Sequence, residues 1–261
     1  MKSLIRNLKY LKSIGVIGVK QSLEDEGASF KDIEMMRKIT IAAKIDLNVK
    51  IGGCEAKNDI FFCKNINTNS IVAPMIESKY ALKKFIQSVE KKNKILILIN
   101  LETDLALKNL NSIIKSKYFQ FLDGIVIGRS DIAGSMNLEK KDVNSKKIFN
   151  KVHYVFKKIK KYQKKKLIFK MGGSITSKSI EFIDKLYKNK LLHRIETRNI
   201  EIKLSNKIIK KLDDIIPKVF KFELEWLKYR LTINKKNKFI YRNNSYRINE
   251  MQNRLQSEIW T

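Results

Sequence analysis

The segment KILILINLETDLAL, Lys94 to Leu107, decides the reading of the chain. Its first half is an unbroken run of Ile and Leu, Ile95 to Ile99, the composition of a strand buried on both faces. Polar residues then gather at its end (Asn100, Glu102, Thr103), and a helical pattern is predicted over 104–115. Similar units lie on either side. Strands are predicted at 14–19 (IGVIGV), 47–51 (LNVKI), 70–75 (SIVAPM), 124–127 (GIVI), 167–171 (LIFKM) and 194–197 (RIET). Helices are predicted at 29–43, 56–63, 79–90, 146–161, 177–188 and 206–214. Fully apolar strands alternating with helices imply a parallel sheet covered by helices. Seven such units in about 200 residues favour an α/β fold of the TIM-type (β/α) barrel over an open sheet. No eighth strand is evident, so the barrel is expected to be one strand short or closed by the N-terminal helix. Beyond Pro217 a strong helix with Trp226 and then a polar, aromatic-rich tail follow. The expected organisation is a barrel domain over 1–216 and a C-terminal helix and tail over 217–261.

Composition narrows the function classes. A hydrophobic fraction of 43% over 261 residues can fill a sizeable core, and 2 Pro and 10 Gly argue against a linker-rich chain. No apolar run approaches the roughly 18 residues a membrane span needs. The N-terminal KSLIRNLKYLKS has helical apolar spacing without the continuous core of a signal peptide. Cys54 and Cys63 form no CxxC and only two His are present, which excludes a disulfide scaffold or a zinc finger and suits a reducing cytoplasm. The net charge of +29 is almost all Lys, with nine Arg. Nucleic-acid readers lean on Arg for bidentate contacts, so nucleic acid is the less favoured partner. The run KKIKKYQKKK (157–166) closes a predicted helix and reads as a solvated face. The charge would instead steer a small anionic substrate.

In a barrel, residues at the C-terminal ends of the strands line the active site. Those ends carry Lys20 with Glu24 and Glu26, Lys50 with Gly52 and Gly53, Glu77, Asn100 with Glu102, Arg129 with Asp131, Lys170 with Gly172 and Gly173, and Glu196 with Arg198. Packing alone would not repay the desolvation of so many charged groups. Read plainly, Glu102 caps the helix that starts near Asp104 and Asp131 sits in a loop turn. Lys170-Met-Gly-Gly ends a late strand, where backbone N–H groups often bind phosphate or carboxylate. Lys50 and Lys170 also leave open a Schiff-base mechanism. His153 and His193 read as structural.

The segments IVAPMIES (71–78), ILINLETDLAL (97–107) and DGIVIGRSDIAGSM (123–136) resemble the HpcH/HpaI aldolase and citrate lyase beta-subunit family, in a divergent branch. The resemblance runs from about residue 14 to 200 and implies a barrel of metal-dependent enzymes that make or break a C–C bond beside an enolate. It assigns Glu102 and Asp131 to the metal, Mg2+ or Mn2+. Lys50 stands where the family has an Arg, and as a point charge it cannot form the same fork. With Arg129 it is expected to hold the 2-oxo acid, while Lys20, Asn100, Lys170, Gly172 and Gly173 complete the substrate site. The family's His base has no counterpart in KQSLEDEGA (20–28), which leaves Glu24, or else Glu26, as the base. A CoA-thioester lyase is a close alternative. The other class is a barrel without turnover that binds anionic ligands or nucleic acid. The resemblance also implies a homo-oligomer with C-terminal helices exchanged or packed between subunits, through Trp226, Phe239 and Tyr241.

Overall fold

The computed structural model describes residues 1–24, 26–90, 94–234 and 238–259, the last stretch with side chains at 242 and 244–258. Eight strands close into a barrel in sequence order. They are β1 (Val16–Ser22), β2 (Asp46–Lys50), β3 (Ser70–Ala73), β4 (Leu96–Leu101), β5 (Gly124–Gly128), β6 (Ile168–Gly172), β7 (Arg194–Glu196) and β8 (Ile200–Lys203). The first seven run parallel; β8 is antiparallel to both β7 and β1. The eighth place is therefore neither vacant nor filled by the N-terminal helix. β8 fills it by turning back after Thr197–Asn199.

The helices are α1 (Lys2–Ser13), α2 (Phe30–Ala43), α3 (Lys57–Asn65), α4 (Lys79–Val89), α5 (Asp104–Lys108), α6 (Leu110–Ile114), α7 (Arg129–Ser135) and α8 (Lys146–Tyr162). They continue as α9 (Ile180–Lys188), α10 (Asn206–Ile209), α11 (Leu212–Ile233) and α12 (Lys238–Ile259). Ser29, Ser78, Thr103, Ser145 and Ser205 cap helix N-termini with their hydroxyls. The helix predicted over 104–115 breaks at Asn109 into α5 and α6. The expected division at Pro217 falls inside α11, where the proline lies in the second turn and the buried face continues through Trp226 and Arg230. α1 packs on α2 and α11 through Leu4, Leu8 and Leu11. No helix among the described residues is long and apolar enough to cross a membrane.

One continuous core lies between the barrel and its helices, and each Leu or Ile buried there contributes about 1.5–3 kcal/mol. The bore of the barrel differs from it. Val72, Leu98 and Val126 form a separate apolar cluster on one side. The opposite side is polar: Ser70 Oγ donates to Asn48 Oδ1 (2.6 Å), and Asn48 Nδ2 to Glu201 Oε2 (2.6 Å). Glu201 also binds Lys170 Nζ at 2.6 Å and Arg194 Nη1 at 2.8 Å. This buried network floors the site above it.

Candidate active site

A cavity of about 350 Å3 opens at the C-terminal end of the barrel. Its inner wall carries Lys20, Glu26, Lys50, Asn100, Glu102, Gly128, Asp131 and Glu196. Glu102 is 1% exposed. Its Oε1 accepts from the Met75 N–H (3.1 Å) and lies 3.4 Å from Lys50 Nζ, and its Oε2 accepts from Asn100 Nδ2 (2.6 Å). Met75 has a φ of +46°, a left-handed backbone that is strained for a side chain of this size, and it holds its N–H against the carboxylate. Glu102 is free of the capping role, because Thr103 Oγ1 caps α5.

Asp131 lies in the first turn of α7, across Gly128 from Glu102. A Cβ on Gly128 would sit 2.7 Å from Glu102 Oε2 and 3.2 Å from Asp131 Oδ2. Both carboxylates thus lean on the one backbone carbon that leaves them room. This fits a divalent cation: two hard oxygen donors share a small space, and the buried Asn100 Oδ1 beside them has no hydrogen-bond partner. Among the described residues no cluster of three or more His, Cys, Asp or Glu could hold a metal, so an ion here would draw its ligands beyond Glu102, Asp131 and Asn100 from water or substrate.

A cationic half faces these acids. Lys20 Nζ lies 3.1 Å from Glu196 Oε1, and Lys170 Nζ lies 3.7 Å from Glu196 Oε2. Burial pushes the Glu196 carboxyl up, but the charges of Lys20, Lys170 and Lys50 outweigh it and leave the pKa below the usual carboxylate range.

Three expected site residues take other places. Glu24 is exposed; its side chain lies over Gly52 and outside the cavity. Gly27 N–H closes a turn onto the Glu24 carbonyl, which sends Glu26 inward instead. Glu26 is 4% exposed and accepts from Asn199 Nδ2 at 2.7 Å. Its loop is fixed by Arg230, which donates to the Gly27 carbonyl (3.0 Å) and to Asp32 Oδ2 (3.1 Å).

Arg129 is the second. Its guanidinium is fully buried away from the cavity, donating to Asn144 Oδ1 (2.6 Å), Gly173 O (2.8 Å) and Ser179 Oγ (3.2 Å), and it stacks on Phe182. Burial pushes its pKa down to about 9. It is a tie between β5 and the loop after β6. Lys170 is the third: 1% exposed, it belongs to the network in the bore beneath the cavity. Gly172 and Gly173 do line the cavity, and their bareness also serves packing, against Glu196 and against the start of α7. Neither His153 nor His193 reaches the site; His193 Nδ1 accepts from the Phe169 N–H at 2.9 Å.

The structure adds residues that sequence reasoning missed. Glu223 of α11 is fully buried behind Glu26, and its Oε1 accepts from Thr197 Oγ1 and the Asn199 N–H, both at 2.6 Å. A carboxylate on a stripe with Phe220, Trp226 and Leu227 was the signal for it. At the mouth, α12 brings Tyr246, Arg247, Glu250 and Arg254 to the rim beside Lys140 and Arg198. Of the residues expected at an interface, Trp226 is fully buried in the chain's own core, and the side chains of Phe239 and Tyr241 lie outside the described residues.

A family model for the HpcH/HpaI aldolase/citrate lyase domain matches residues 34–173, more than half of the chain. No curated protein matches by sequence. Among solved structures, an HpcH/HpaI aldolase/citrate lyase family protein from Burkholderia cenocepacia J2315 is 12% identical, with a TM-score of 0.59 over 74% of this chain and 82% of its own. The HpcH/HpaI aldolase from Desulfitobacterium hafniense DCB-2 is 10% identical, with a TM-score of 0.59 over 76% and 82%. The citrate synthase SbnG is 13% identical, with a TM-score of 0.57 over 82% and 97%. At these identities the likeness is one of fold. The family match covers β2 to β6, the strands that carry both strand-end acids, and the chain belongs to the HpcH/HpaI aldolase/citrate lyase family.

Proposed function

We propose that the chain is a divalent-metal-dependent lyase or aldolase that makes or breaks a carbon–carbon bond beside the enolate of a 2-oxo acid. The observation that carries this reading is the convergence of Glu102 and Asp131 on Gly128, with Lys50 alongside. Those two acids would hold Mg2+ or Mn2+, which supplies Lewis-acid stabilisation of the developing enolate oxygen. Lys50 and Lys20 place positive charge where the substrate carboxylate binds. Asn100 fixes the orientation of Glu102 through its 2.6 Å hydrogen bond. Glu26 is the base in this reading, in preference to Glu24: walled into the cavity and held by Asn199, it takes a proton from the carbon next to the carbonyl and returns it in the reverse direction. The two free thiols, Cys54 and Cys63, support a cytoplasmic setting, and the family resemblance supports a homo-oligomer.

The test is hydrogen–deuterium exchange of the pyruvate methyl group in D2O with Mg2+ or Mn2+, alongside Mn2+ binding followed by electron paramagnetic resonance. The wild type is expected to bind Mn2+ and to exchange the methyl protons. Glu102→Gln and Asp131→Asn are expected to lose both. Glu26→Gln is expected to keep the metal and lose exchange by about 100-fold or more. Mn2+ binding unchanged in the Glu102 and Asp131 variants would sink the metal assignment.

A further inference from the structure

The cavity mouth has a feature that the proposed chemistry does not use. Glu250, on α12, reaches back to the barrel rim and meets three cations. Its Oε1 accepts from Lys140 Nζ (2.7 Å) and Arg254 Nη2 (2.8 Å), and its Oε2 accepts from Arg198 Nη2 (3.1 Å). Arg198 sits in the turn between β7 and β8, and Lys140 in the connection from β5 to β6. Two barrel loops and one turn of α12 thus aim donors at a single carboxylate. All four residues line the same cavity as Glu102 and Asp131.

We propose that Lys140, Arg198 and Arg254 form an anion subsite for a second carboxylate or phosphate group at the far end of the substrate, and that Glu250 occupies it until substrate displaces it. This rests on the proposed lyase reading for the identity of the near end, but the subsite stands on its own residues. Three positive charges held together at a partly dry rim repel one another unless an anion sits among them. A guanidinium presents its N–H groups in a plane that matches carboxylate and phosphate oxygens, and two of the three donors here are Arg. Burial works to raise the Glu250 pKa, yet the hydrogen bond from Lys140 and the charges of Arg254 and Arg198 bring it down to about 2. The internal occupant is therefore a full anion. The cluster is also adaptable: the Lys140 side chain is 63% exposed and that of Glu250 25% exposed, so an exchange of one anion for another leaves the barrel unchanged.

The test titrates inorganic phosphate and, separately, malonate into the metal-free full-length chain by calorimetry. This needs neither metal nor turnover, so it separates failure of the subsite from failure of the lyase reading. Glu250→Gln keeps the shape of the side chain and removes its charge. It is expected to bind one or both anions at least tenfold more tightly than the wild type, and Glu250→Ala is expected to do the same. Adding Arg198→Gln to Glu250→Gln is expected to return the affinity to the wild-type level or below. The anion that gains more identifies the group at the far end. If neither Glu250 variant binds either anion more tightly than the wild type, or if the added Arg198→Gln leaves the gain intact, the subsite is wrong.

Discussion

Glu223 shows how one side chain behind the cavity links stability to pH. Its Oε1 takes two hydrogen bonds from the β7–β8 turn, while its Oε2 is buried with no hydrogen-bond partner. Burial raises its pKa against the pull of Thr197, Asn199 and Arg198, and the charge of Glu26 adds to the rise. A carboxyl whose folded pKa is raised binds more protons folded than unfolded. The stability it contributes is therefore whole below the ordinary carboxyl range and is lost as pH climbs through the folded value. Gln keeps the acceptor for Thr197 and Asn199 and cannot ionise. Glu223→Gln is expected to melt above the wild type near pH 7, with the gap closing near pH 4; a gap that does not change with pH would refute the account. At this scale the sequence was legible where a residue's position at a strand end decides which way it faces: Glu102, Asp131, Lys50 and Asn100 all line the cavity. It was not legible where a turn decides, as with Glu24 and Glu26, which lie two residues apart and face opposite ways.

Among elements, the joint between β5, α7 and the loop after β6 is anchored by one side chain, Arg129. Arg129 follows β5 directly, so its place in the sequence suggested a substrate arm. It is instead the first residue of α7, and its side chain turns outward beneath the β6 loop. Arg129→Met would leave the Gly173 carbonyl and the Asn144 amide oxygen without the Arg129 donor in a dry place and would take one of two donors from the Ser179 hydroxyl. We expect a loss of about 2–4 kcal/mol in urea unfolding, with Mn2+ affinity weakened through the shifted α7; a loss below about 1 kcal/mol would show that the tie is dispensable. The first six strands were readable because each carries an apolar run and lies between helices. β8 was not, because only Thr197, Arg198 and Asn199 separate it from β7. So short a connection cannot make a parallel crossover and can only reverse the chain. The strand predicted at 194–197 is the first arm of a hairpin whose second arm, β8, was not predicted.

Across the whole molecule, the charge of +29 and the charge of the cavity are different quantities. Within the cavity the basic residues Lys20, Lys50, Lys140, Arg198, Arg247 and Arg254 stand against the acids Glu26, Glu102, Asp131, Glu196 and Glu250, so the two signs nearly balance. Most of the excess therefore lies on the outer surface, in exposed lysines such as those that end α8. Surface charge of one sign acts at a distance: it draws an anion toward the mouth but makes no contact with it once bound. Contacts inside the cavity set the dissociation rate. Raising salt from about 0.1 M to about 1 M shortens the screening length from about 10 Å to about 3 Å. The rate of association of a doubly charged anion should then fall by about 10-fold or more, while its dissociation rate changes by less than about 2-fold. Stopped-flow binding of malonate to the Glu250→Gln chain, in a series of salt concentrations, measures both. If salt acts mainly on dissociation, the bound anion is held by screened surface lysines, and the external charge is part of the binding site itself.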